Sequence, residues 1–104
     1  MKANFKDANL AEANLESAQI RSGNFIGANL RKASLKNAYL AFADLSFSDL
    51  SDADLSGANL SHANLNGATL RNLNLDRADL SDAIITKRQL RQAKSLKDTI
   101  LPKV

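Results

Sequence analysis

Apolar residues recur along this chain with a period of five: Leu, Ile or Phe stands at every fifth position from Phe5 to Leu90, eighteen times without a miss. Up to Ile85 the residue two places earlier is Ala, Gly or Ser, as in Ala58 before Leu60, with Leu73 the one bulky exception. The unit reads A-[N/D]-L-x-x. A period of five suits neither regular element: successive Leu residues would advance by about 140° around an α-helix and would alternate faces along an extended strand. The Ala and Leu of one unit, two apart, share a face of a short extended segment. A chain that turns a corner after each unit therefore keeps every such pair inside.

The run DADLSGANLSHANLNGATL and the units that flank it resemble the pentapeptide-repeat family over nearly the whole chain. The resemblance implies an all-β solenoid, a right-handed quadrilateral β-helix of about four coils, with four units and twenty residues to a coil. Residues twenty apart then form columns. Phe5, Phe25, Leu45, Leu65 and Ile85 share one of them, which allows the two Phe rings to stack.

After Ile85 the rule decays, and residues 1–85 are expected to form the β-helix, with 86–104 a C-terminal helical cap and tail. Thr86 followed by Gln89 fits a capping box, so a short helix should begin there. Leu90, Ala93 and Leu96 at helical spacing would cover the last coil, and Pro102 would end regular structure. The first units offer no equivalent cap. Solenoids need covered ends, so Phe5, Leu10, Leu15 and Ile20 are a candidate end-to-end interface for a homodimer, or the place where a longer repeat chain continues.

The formal charge of +3 is unevenly placed: residues 1–86 carry −2 and residues 87–104 carry +5. No Lys or Arg falls between Asn37 and Leu70, where Asp44, Asp49, Asp52 and Asp54 make a candidate acidic patch. The basic tail lacks the interleaved aromatics of a nucleic-acid binder and reads as a solvated face. No stretch has the roughly 18 apolar residues of a membrane span or the apolar core of a signal peptide, and a cytoplasmic protein is expected.

Candidate chemistry is sparse. There is no Cys and one His, His62, on an outward position; Gly23, Gly27, Gly57 and Gly67 hold repeat positions and corners, not a phosphate loop. The Asp residues face different sides, unlike a paired acid/base site. No enzyme, cofactor or metal is expected. Phe42 and Phe47 instead occupy corners that elsewhere carry polar residues, with Tyr39 and Ile26 nearby, and form a candidate surface for an unidentified protein partner. The expected function is a non-catalytic scaffold or protein-interaction module. The alternative implied by the family is a mimic of duplex DNA that protects DNA gyrase from quinolone-type inhibitors, which needs a dense negative surface that a body of −2 does not supply.

Overall fold

In the computed structural model, which describes residues 2–103, the residue before each central apolar side chain bridges in parallel to its counterpart twenty residues on. Asn4 pairs with Asn24, Asn9 with Asn29, Asn14 with Ser34 and Gln19 with Tyr39, and the pattern continues to Asn64 with Ile84. Four bridging positions per twenty residues define four sides, numbered one to four after Phe5, Leu10, Leu15 and Ile20.

Two devices turn the corners, the second only where the unit carries Asn or Asp. The first is a four-residue turn closed by one hydrogen bond, as from the Ala8 N–H to the Phe5 carbonyl at 3.0 Å. Its third residue is left-handed, with φ 58° at Asp7 and 61° at Asp52, the signature of a type II turn. The second is the Asn or Asp of the unit, whose side-chain oxygen accepts the N–H two residues on. Asn64 Oδ1 takes the Asn66 N–H at 2.9 Å, and Asp54 Oδ1 the Ser56 N–H at 2.8 Å. Asn and Asp interchange because each supplies the oxygen that this turn needs.

The interior is filled by the columns. Leu30, Leu35, Leu40, Leu45, Leu50 and Leu55 are fully buried, with Ala between them, and the Phe5 and Phe25 rings stack at 5.0 Å. Burying each Leu side chain contributes roughly 1.5–3 kcal/mol. Ser48, which replaces Ala in its column, is buried and donates its hydroxyl to the Leu45 carbonyl at 2.7 Å, so no polar group is stranded. Phe5, Leu10 and Leu15 are only half-buried, because no coil lies beneath them.

At the other end the helix α1 spans Lys87–Gln92, and Thr86 and Gln89 form the expected capping box. Its extent corrects the sequence reading: Ala93 is already extended, and Leu96 lies beyond the helix. The chain instead rejoins the solenoid, with Ser95 bridging Asn74 and Ile100 bridging Asp79, now twenty-one residues apart. Lys94 donates to the Leu73 carbonyl while Ser95 accepts from the Leu75 N–H. In the coil below, Asn74 alone does both, toward Ala53 and Leu55. Two residues opposite one is a bulge, and it absorbs the extra residue.

The helix thus stands in for side two of the last coil, and glutamine amides take over the missing backbone bonds. Gln89 Nε2 donates to the Leu65 and Ala68 carbonyls at 2.7 and 3.0 Å, and Gln92 Oε1 accepts from the Leu70 N–H at 3.3 Å.

Candidate interaction surfaces

Every corner aims its left-handed residue outward and over the corner of the next coil. Phe42 (φ 63°) and Phe47 (φ 60°) hold such positions at the two ends of side one, where an aromatic side chain in the left-handed region costs about 1–2 kcal/mol. They are 47% and 65% exposed. The two differ in surroundings. Phe42 stacks flat on His62, with centroids 4.5 Å apart and planes within 1°, while the Arg21 guanidinium lies 4.8 Å from its ring centre. His62 Nε2 in turn lies 3.7 Å from an Asp82 carboxylate oxygen. Phe47 leans over Gly67, where a Cβ would come within 2.6 Å of its ring. The Phe47 ring therefore requires Gly67, whose φ of +72° glycine also adopts without strain. Tyr39 and Ile26 are half-buried.

The four acidic residues lie on different parts of the body. Asp44, Asp49 and Asp54 belong to sides one, two and three, and each uses one carboxylate oxygen to build its own corner. Ser46 and Ser51 add hydroxyl donors to Asp44 and Asp49, both at 2.6 Å. Asp52 sits on a corner and accepts from Asn72 Nδ2 at 2.8 Å. Burial pushes the Asp49 carboxyl up, but the Ser51 hydroxyl and N–H and the Arg31 guanidinium, 3.4 Å away, together leave it below the usual carboxylate range. The Asp44, Asp49 and Asp54 carboxylates serve turns. The signal for that role was in the sequence, in the free exchange of Asn and Asp at one repeat position.

Sequence reasoning passed over the apolar rim of the last coil. Ile84 and Ile100 take the outward position that Asn or Asp holds below, and both are exposed, as is Leu101. Beside them Ile85, Leu90, Leu101 and Pro102 line a cleft of ≈ 130 Å³ flanked by Lys87 and Lys103. The first coil is its counterpart: Phe5, Leu10 and Leu15 half-buried, Ile20 buried. Among the described residues no three His, Cys, Asp or Glu side chains are grouped to hold a metal ion, and no helix is long and apolar enough to cross a membrane.

Among curated proteins no sequence matches this chain. Solved structures do. The pentapeptide repeat protein alr5209 from Nostoc PCC 7120 is 36% identical over 98% of this chain and 76% of its own, with a TM-score of 0.52. HetL, a pentapeptide repeat protein involved in heterocyst differentiation regulation in Nostoc sp. strain PCC 7120, is 26% identical over 96% of this chain and 60% of its own, with a TM-score of 0.42. QnrB1, a plasmid-mediated fluoroquinolone resistance protein, is 19% identical over 94% of this chain and 67% of its own, with a TM-score of 0.44. The model for pentapeptide repeats matches eight copies, over residues 1–37, 24–57, 48–86 and 58–94. On that match and on the coil geometry, the chain belongs to the pentapeptide-repeat family, whose known structures are right-handed quadrilateral β-helices.

Proposed function

We propose that this protein is a non-catalytic, cytoplasmic scaffold that binds a protein partner through the aromatic corners at side one. The observation that carries this reading is the pair Phe42 and Phe47, which expose apolar rings from backbone positions that disfavour them. Phe47 is the expected anchor, since Phe42 already has Arg21 on its ring and His62 stacked against it. Tyr39 and Ile26 would border the contact. Residues 1–85 form the repeat body in this reading, of about four coils, and residues 86–104 cap it, with Gln89 and Gln92 supplying the bonds a further strand would make. The first coil, around Phe5, Leu10, Leu15 and Ile20, serves self-association.

The gyrase-directed alternative draws less support. Mimicry of a phosphate backbone needs free negative charge in a continuous array, whereas Asp44, Asp49 and Asp54 are turned into their own corners on three different sides. The test is affinity capture from source-cell lysate with the wild type and with Phe42→Ser/Phe47→Ser, both checked for folding by circular dichroism. A partner retained by the wild type and lost by the double variant supports the reading; identical retention, or none, contradicts it.

A further inference from the structure

We propose that copies of this chain associate head to tail, the first coil of one seated on the last coil of the next. This rests on the reading that the first coil is an association surface, and it names the surface opposite.

The two ends match column by column. Phe5, Leu10 and Leu15 begin the columns that end in Ile85, Leu90 and Leu96, and Ile20 begins the one that ends in Leu101; the last two follow the twenty-one-residue register of the final coil. Ile85, Leu90 and Leu96 are half-buried and Leu101 is exposed, so both ends present an incompletely covered square of apolar side chains. Phe5, the bulkiest of the first coil, stands in the column of Ile85, which lines the open cleft with Leu90, Leu101 and Pro102. Ladder groups match too. The N–H groups of Asn14 and Gln19 donate to no described residue, nor do those of Leu96 and Leu101, although their equivalents in the middle coils all do. On side two α1 replaces the strand, so Leu10 would meet the helix by apolar contact and the ladder would continue on the other sides.

Charge selects the pairing. Residues 1–20 carry Lys2 and Lys6 against Asp7, Glu12 and Glu16, a net −1, while residues 87–104 carry +5. Joining two last coils would oppose +5 to +5, and joining two first coils would oppose −1 to −1. Head-to-tail contact instead sets Asp7 near the start of α1, which opens with Lys87, and Glu16 in the column of Lys97. Such a contact is heterologous and does not close, so the assembly grows with concentration instead of stopping at a dimer.

The experiment is analytical ultracentrifugation over a concentration series at low and high salt. Two charge-reversed chains are compared: Asp7→Lys/Glu16→Lys at the first coil and Lys87→Glu/Lys97→Glu at the last. All four positions are exposed, and Lys32 already occupies a corner with the φ of Asp7, so folding is spared. The wild type is expected to exceed twice its 11.2 kDa as concentration rises, and less so at high salt. Each variant alone is expected to stay monomeric, and their equimolar mixture to associate. If the last-coil variant associates like the wild type while the first-coil variant does not, the contact joins two first coils: the head-to-tail proposal fails and the first-coil interface survives. A wild type that is monomeric throughout overturns both.

Discussion

At the scale of the residue, the corner explains most of what is unusual in this sequence. Its third position is left-handed in the Phe residues as in Asp, Asn, Ser, Glu and Gly, and the price differs with the side chain. Phe47→Asn, which keeps the turn and removes the exposed ring, is expected to stabilise the fold by about 0.5–1 kcal/mol in urea titration; a loss would mean that the ring packs more than its exposure suggests. Asp54→Asn should be close to neutral, while Asp54→Leu leaves the Ser56 N–H without its acceptor and should cost about 1–2 kcal/mol. Equal losses would show that charge, not the turn oxygen, is what matters there. The inward Ala and Leu were legible from spacing alone, because burial imposes a strict rule. The role of Asp44 and Asp54 was not read, because an outward Asp looks solvated unless its own backbone is considered.

At the scale of the element, α1 shows where sequence reading stops. The capping box at Thr86 and Gln89 was legible, being a local pattern four residues long. The helix end was not: Ala93 and Leu96 fit helical spacing, but bridges to the coil below draw residues 94–100 back into the solenoid at a register one residue longer. That preference depends on partners about twenty residues away. Gln89→Ala would strip the amide donor from the Leu65 and Ala68 carbonyls and should cost about 1–2 kcal/mol, read as faster amide exchange in residues 87–101 before the body loosens. Asp76 ties this segment down as well, accepting from the Ser95 hydroxyl and from the Lys97 N–H at 3.0 Å. The Ser95 hydroxyl is the main cause that holds the Asp76 carboxyl below its ordinary value; burial pushes it up by less, and the Lys97 N–H with the Arg77 and Lys97 charges adds smaller downward pulls. A carboxyl lowered on folding stabilises the folded state above its unfolded pKa, near pH 4, and that contribution is lost as pH falls through the lower folded value. NMR spectra should therefore show Ser95 and Lys97 shifting only once pH has fallen below about 4, while Leu50 and Leu55 keep their positions; simultaneous change across the body would contradict a local tie.

At the scale of the whole molecule, the fold is a stack whose cohesion is greatest in the middle. Leu50 and Leu55 have full coils above and below, and Leu50→Ala should cost about 2–5 kcal/mol because its neighbours are fixed by their own ladders and cannot close the cavity. The ends are different: the first coil is half-buried, and the last is held by a helix, a bulge and side-chain amides. The scaffold reading and the proposed end-to-end contact both start from a rigid body with incompletely covered ends. Amide hydrogen exchange, followed residue by residue at low and high protein concentration, tests that gradient most directly. The account predicts slow exchange at Leu50, Leu55 and Leu60, fast exchange in the first coil when dilute, and added protection of residues 4–20 and 85–101 together when concentrated. Uniform protection along the chain at every concentration would contradict it.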